Sequence, residues 1–286
     1  MTTFNKTQIV ADLKAFAERA GSQNKAAKML KNVSAATLSQ IINGKHNHIA
    51  DEMWRNIASQ LKNEQQEGWQ LVATADFKAL TALLTDAKQH SNVFAITGAA
   101  GSGKSATMKQ FVKENENSYR LSCSEYWNRK YFLAELLTAM GRDYSGLTVA
   151  EMMFEAISQL KRKEKPLLIL DEADKLTDQV LYFFITLYNE LEDLCGIVLC
   201  ATDHLEKRIK RGLKLNKKGY QEIYSRMGRK CIELKGVQHT DVYAVCMENG
   251  VTGTNAIKKI WNECDGDLRR VKRLAHALKQ QQKHDD

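Results

Sequence analysis

Eight residues, Gly98-Ala99-Ala100-Gly101-Ser102-Gly103-Lys104-Ser105, constrain this chain more than any other stretch. They follow an apolar run, Val93-Phe94-Ala95-Ile96, and precede a helix-compatible run from Ala106 to Glu114. Strand, glycine-rich loop and helix in that order, with G-x-x-x-x-G-K-[ST] spacing, form a phosphate-binding loop. The glycines let successive backbone N–H groups turn inward around phosphate oxygens, and the helix N-terminus adds its partial positive charge. The expected ligand is a nucleoside triphosphate, held by Gly98 to Ala106. Lys104 reaches the β- and γ-phosphates and Ser105 ligates Mg2+. A chance glycine-rich turn explains neither flank.

A second constraint lies further on. Lys165-Pro166 is followed by Leu167-Leu168-Ile169-Leu170-Asp171-Glu172-Ala173-Asp174. Four apolar residues ending in two carboxylates read as a buried parallel strand with acids at its C-terminal end. Ligands of open α/β sheets sit at that end. Asp171 is then the Mg2+ ligand, directly or through water, and Glu172 the general base that polarises the attacking water. A helix N-cap cluster accounts for the acids but not for their place after an apolar strand.

The 286 residues can hold one large or two modest domains. A charged fraction of 27% and an apolar fraction of 43% are those of a soluble globular chain. No apolar run approaches a membrane span, and Met1-Thr2-Thr3-Phe4-Asn5-Lys6 lacks the apolar core of a signal peptide. The six cysteines include no C-x-x-C pair, so reduced, mostly buried thiols and a cytoplasmic location are expected, without zinc. The net charge of +8 is concentrated: Leu205 to Lys230 holds ten basic residues against Glu206 and Glu222. Such a run fits either a polyanion partner or a solvated helix face.

The first sixty or so residues read as a separate helical unit. Ile9, Leu13, Phe16 and Ala17 have helical spacing. Two short helices follow, Ser22 to Leu30 and Ser34 to Lys45, broken at Lys31-Asn32-Val33. Ser34 is the expected N-cap, Asn43-Gly44 the αL end, and Ala27 the small residue at the crossing. A last helix, Asp51 to Leu61, brings Trp54, Ile57, Ala58 and Leu61 to the core. The pattern resembles the helix-turn-helix of Cro- and repressor-like domains, whose second helix lies in the major groove. That resemblance turns Ala35, Ala36, Thr37, Ser39 and Gln40 toward DNA. Thr37 and Gln40 can bond base edges, and Lys45 and His46 can touch the backbone. A packing domain that does not bind DNA is the alternative. Asn63 to Gly68 is polar and reads as a linker. Trp69-Gln70-Leu71-Val72 then serves either the core or an apolar wall for a nucleobase.

Further strands are expected at Tyr119–Cys123 and Gly196–Ala201. Helices are expected at Tyr131–Met140, Glu151–Leu160, Leu181–Leu191, Asp241–Asn249, Thr254–Cys264 and Asp267–Gln281. Alternating strands and helices mean a parallel sheet with helices on both faces, followed by a helical cap. Between the second strand and its helix, Ser124 to Lys130 reads as a loop. It interleaves Tyr126 and Trp127 with Arg129 and Lys130, as nucleic-acid contacts do.

The order of phosphate loop, D-E-A-D strand, Ala201-Thr202-Asp203, Ser225-Arg226 and Gly266-Asp267-Leu268-Arg269 resembles the AAA+ ATPases from about Trp69 onward. The branch with origin-recognition and transposition ATPases is the most similar. With the helix-turn-helix added, the chain resembles the Mu B family of phage transposition proteins. The resemblance implies residues 1–62 as a DNA-binding domain, 63–76 as linker, 77–235 as a P-loop AAA+ core and 236–286 as a helical lid. It implies a DNA-stimulated ATPase that binds duplex DNA with little sequence preference. Such a protein assembles as a homo-oligomer, a helical filament or ring with ATP at subunit interfaces. It delivers target DNA to a transposase and stimulates transposition. Thr202 or Asp203 takes the sensor-one place, Arg226 the arginine finger and Arg269 the sensor-two arginine. Locally, Arg226 also reads as part of the basic run and Arg269 as a helix cap. In related assemblies the loop after the second strand tracks DNA, which points to Arg129 and Lys130 as phosphate contacts, with Trp127 fixing the loop. A replication initiator or helicase loader shares every ATP motif. A nucleotide-switched repressor does not need Glu172.

Overall fold

Apolar spacing and capping build the N-terminal helices. The computed structural model describes residues 6–19, 22–30, 32–45, 49–67 and 69–285. The chain divides into two compact units, Met1–Gln70 and Leu71–Asp286. The first contains α1 (Lys6–Arg19), α2 (Gln23–Met29), α3 (Ala35–Ile42) and α4 (Asp51–Glu67). Ser22 and Ser34 cap α2 and α3, accepting from the N–H of Lys25 and Thr37. Gly44 ends α3 with φ 73°. Ile9, Leu13, Phe16, Ala26, Leu38, Ile41, Trp54 and Ile57 form one buried core. Where the polar stretch from Asn63 predicts a linker, α4 continues to Glu67. Its Glu and Gln residues are good helix formers, so polarity alone does not break the helix. His46 and the Leu61 side chain lie outside what is described.

The second unit opens with α5 (Ala75–His90), capped by Thr74. Then come β1 (Val93–Thr97), α6 (Lys104–Glu114), β2 (Ser118–Ser122), α7 (Arg129–Ala139), α8 (Val149–Lys161) and β3 (Leu167–Asp171). A 3-10 turn, Ala173–Lys175, leads to α9 (Asp178–Leu191), β4 (Gly196–Ala201), α10 (Asp203–Lys214), α11 (Tyr220–Arg226) and β5 (Ile232–Glu233). The strands pair in parallel in the order β2-β3-β4-β1-β5. Alternation along each strand serves the two faces. Leu168, Leu170, Ile197 and Leu199 pack with α7, α8, α9 and α11. Leu167, Ile169, Val198 and Cys200 pack with α5 and α6. Because β4 lies between β1 and β3, the ends of these three strands converge. The phosphate loop, Thr202 and the Asp171-Glu172 pair therefore leave the sheet side by side.

The lid is α12 (His239–Glu248), α13 (Thr254–Cys264) and α14 (Leu268–Asp285). Two buried carboxylates tie its entry to α5. Asp76 accepts from the N–H of Lys235 and Gly236, both at 3.0 Å. Asp241 accepts from those of Ala75 and Gln238, both at 2.9 Å. No helix among the described residues is long and apolar enough to cross a membrane.

Candidate nucleotide site and nucleic-acid surface

The loop from Gly98 to Ser105 joins the end of β1 to the start of α6 and turns on two left-handed glycines, Gly101 (φ 76°) and Gly103 (φ 94°). No side chain caps α6, so its N-terminal N–H groups face the loop's hollow. A Cβ on Gly101 would lie 2.2 Å from the Asp267 carboxylate, and Leu268 N–H donates to Gly101 O at 3.0 Å. The lid thus docks directly on the loop. Lys104 Nζ donates to the carbonyls of Gly98 and Ala99, each at 2.7 Å. Ser102 Oγ is buried without a hydrogen-bond partner. A glycine-lined cradle, an uncapped helix start and an orphaned hydroxyl fit a phosphate chain. Ser105 and Asp171 offer two oxygen donors. Among the described residues no group of three or more His, Cys, Asp or Glu could hold a metal. Two hard oxygen donors suit an ion such as Mg2+, which takes one or two carboxylates and completes its shell with phosphate and water.

Asp171 is 1% exposed at the tip of β3. Its partner was not legible in the sequence: Arg120 of β2 donates to Asp171 Oδ2 from Nη2 at 2.5 Å and from Nε at 3.2 Å. The next residue, Glu172, adopts φ 58°, which turns the chain out of the strand. Its half-exposed carboxylate accepts from Lys175 Nζ at 2.9 Å, and that bond raises the Lys175 pKa. Thr202 Oγ1 donates to Asp174 Oδ2 at 2.7 Å, facing the acidic turn. Asp203 faces away, paired with Lys207 on the exposed side of α10. Of the two residues at the sensor-one place, Thr202 bonds to the acidic turn and Asp203 bonds within α10.

The turn after Glu172 is braced from α10. Arg208 Nη1 donates to the carbonyls of Leu176 at 2.5 Å and Asp174 at 3.3 Å. Its Nη2 meets Asp178, and its Nε meets the Tyr220 hydroxyl at 3.0 Å. Burial opposes the charge on Asp178, yet bonds from Lys217, Tyr220 and Arg208 hold its carboxyl well below the usual range. Arg208 belongs to the basic run, and its structural role was legible only as charge.

Arg226 ends α11. It donates to Asn189 Oδ1 from Nε at 3.0 Å and from Nη2 at 2.8 Å, and lies over the Tyr188 ring at 5.5 Å. It borders a cleft with Asn92, Val93 and Glu192, at the starting end of β1. That is the opposite end of the strand from the phosphate loop. Arg269 is exposed in the first turn of α14, its N–H bonded to Asp267 Oδ1 at 2.7 Å.

On the surfaces expected to meet DNA, Trp127 is only 4% exposed, with its ring 6.4 Å from that of Phe132. It anchors the stretch before α7 to the core, in keeping with a residue that fixes that stretch, but presents no face for a base and is not itself a DNA contact. Arg129 and Lys130 are not in the loop. They form the exposed first turn of α7, whose N-cap Asn128 accepts from Tyr131 N–H at 2.9 Å. Tyr126, 72% exposed, stacks edge-on with Tyr131 at 5.6 Å. In the basic run, Lys207, Arg208, Lys210, Lys217 and Arg226 are paired with acids. Arg211, Lys214, Lys218, Arg229 and Lys230 are exposed. On α3, Thr37 shares a 2.8 Å bond with Ser34 and Ser39 accepts from Asn43 at 3.2 Å. Ala35, Ala36 and Gln40 are exposed, as is Lys45 beyond the helix.

Fold and site define a P-loop α/β module of the AAA+ kind with a C-terminal helical lid. Residues 85–209 match the family model of the AAA domain. No curated protein matches the chain. Among solved structures it is similar to the Aeropyrum pernix ORC1 protein in complex with DNA, at 15% identity and TM-score 0.51, over 69% of this chain and 56% of that one. It is also similar to Brucella abortus NtrX in complex with ATP, at 12% identity and TM-score 0.51, over 86% of this chain and 59% of that one. The chain thus spans a little over half the length of either structure.

Proposed function

We propose that this chain is an ATP-dependent DNA-binding ATPase that oligomerises on duplex DNA as a filament or ring, delivers that DNA to a transposase and stimulates transposition. The observation that carries the ATPase part is the convergence of the phosphate loop, Thr202 and the Asp171-Glu172 pair at the ends of three adjacent strands. The ATP held by NtrX and the DNA held by the ORC1 protein support the ligands. The transposition role rests on the order of motifs and the helix-turn-helix pattern. In this reading residues 1–62 bind DNA, 63–76 connect, 77–235 form the ATPase core and 236–286 the lid. A cytoplasmic location goes with it.

The roles divide as follows. Lys104 leaves the Gly98 and Ala99 carbonyls for the β- and γ-phosphates. Ser105 and Asp171 hold the Mg2+ that, when bound, neutralises phosphate charge. Glu172 takes a proton from the attacking water. Thr202 and Asp174 orient that water, while Arg226 of a neighbouring copy and Arg269 of the lid stabilise the charge that develops.

The test is ATP hydrolysis with and without nonspecific duplex DNA, together with electron microscopy of the protein with ATP and DNA. Turnover that rises with DNA and ordered assemblies along the duplex are expected. Absence of turnover in both conditions overturns the enzymatic reading, and turnover without any DNA association overturns the nucleic-acid reading. Strand transfer by a purified transposase, with and without this protein, separates a transposition role from helicase loading.

A further inference from the structure

The buried ion pair between Arg120 and Asp171 joins two strands, β2 and β3, and sits where the proposed metal ligand lies. The carboxylate is 2% exposed and the guanidinium 14%. An uncompensated charge at that depth is costly. Lys104, the other cation of the site, is bonded to carbonyls, and Arg120 is the one ion-pair partner that Asp171 has among the described residues. Both Arg120 bonds fall on the same oxygen, Oδ2. The register explains the reach: Ser122 is opposite Asp171, so Arg120 extends its side chain two residues along β2.

We propose that Arg120 is a resident cation at Asp171, a positioning residue that holds the carboxylate when no metal is bound and competes with Mg2+ for it. Arg120 then sets the Mg2+ concentration at which nucleotide is captured. Two cations on one carboxylate repel, so metal binding and the Arg120–Asp171 pair are coupled with opposite sign. Without the pair, Asp171 is freer for the metal, while nucleotide without metal loses one favourable positive charge. The inference rests on ATP binding at the phosphate loop.

The experiment is equilibrium binding of a fluorescent ATP analogue, titrated with Mg2+ from a chelated start, for wild type, Arg120→Gln and Arg120→Lys. Arg120→Gln is expected to lower the half-saturating Mg2+ by about fivefold or more. It should also widen the gap between metal-free and metal-loaded affinity. Arg120→Lys keeps the charge and should stay near wild type. A folded Arg120→Gln with unchanged Mg2+ demand overturns the proposal. A raised demand does so too, and makes Arg120 a helper of the metal. Should that variant fail to fold, the wild type still decides. Its Arg120 Nε–Hε resonance, identified by its absence from Arg120→Lys, should move toward that of a free arginine when Mg2+ and nucleotide are added together. A resonance that stays put while nucleotide binds overturns competition. A wild type that binds nucleotide without regard to Mg2+ overturns this inference alone, and one that binds none overturns the ATP reading as well.

Discussion

Lys104 is held in reserve by its own loop. Two carbonyls at 2.7 Å occupy its ammonium, so in the proposed site it exchanges them for phosphate oxygens, and charge-assisted bonds of that kind are the stronger ones. Lys104→Ala should weaken binding of a fluorescent ATP analogue by more than about tenfold, since bonds to charged groups contribute about 1.5–3 kcal/mol. Binding as tight as wild type would remove Lys104 from the site. Glu172 is held likewise, by Lys175. Glu172→Gln should keep ATP binding, lower single-turnover hydrolysis by about 10²–10⁴-fold, and lengthen the life of assemblies on DNA. A normal rate would move the base to Asp174, which Thr202 already engages. Asp178 makes the pH prediction. Its folded pKa is depressed, so its stabilising effect is present above the unfolded value of about 3.9 and is lost as pH falls through the folded one. Asp178→Asn should therefore melt lower than wild type at neutral pH, with the difference shrinking below about pH 4. A difference that stays constant across that range would assign the loss to packing.

At the scale of elements, α7 carries the sharpest local conflict. Arg129 and Lys130 occupy the first turn of a helix, where the macrodipole disfavours cations. A phosphate backbone at that end relieves the conflict, which is the physical reason to place DNA there. Replacing both with alanine should weaken binding to all duplexes alike. It should also flatten the plot of log affinity against log salt by about 1.8, twice the 0.9 expected per contact. If the slope holds, and neutralising Arg211, Lys214 and Lys218 lowers it instead, the DNA lies along α10 and the turn after it. Interleaved aromatic and basic residues make Ser124 to Lys130 read as loop, while Asn128, three residues before Tyr131, carries the cap signal that starts α7 at Arg129. β1, β3 and β4 were legible because buried parallel strands are continuous apolar runs, whereas β5, only Ile232–Glu233, is too short to show a pattern. β3 ends at Asp171 and α13 spans Thr254–Cys264, both where the pattern places them. The Arg120 and Arg208 contacts were not legible. Arg120 meets an acid 51 residues away, and Arg208 meets Asp178 30 residues away. Only register and packing bring such partners together. Leu80, Leu84 and Ala87 give α5 its apolar stripe, but within a stretch where no motif drew attention to it.

For the whole molecule, the decisive question is whether one copy of the second unit holds a complete catalytic set. Lys104, Asp171, Glu172 and Thr202 stand at the C-terminal ends of the strands, and Arg269 starts the helix that docks on the phosphate loop through Leu268. Arg226 does not join them. It borders the cleft at Asn92 and Val93, and the five residues of β1 between that end and the loop span about 16 Å. An arginine at that remove cannot reach the phosphates of its own copy, but it can serve a neighbour in a head-to-tail assembly, where each interface joins two different surfaces. Arg226→Ala should then lower hydrolysis and assembly together, by up to about 10³-fold in rate if it acts as a finger. Mixing provides the discriminating measurement. A Lys104→Ala copy lacks a working site but keeps its arginine, and an Arg226→Ala copy keeps the site but lacks the arginine. Each alone should be inactive. In a random equal mixture about one junction in four pairs an intact site with an intact arginine, so hydrolysis should reappear and peak near equal proportions. Absence of rescue at every ratio, together with wild-type hydrolysis by Arg226→Ala alone, would confine Arg226 to its contacts with Asn189, Glu222 and Tyr188 and leave the catalytic set within a single copy.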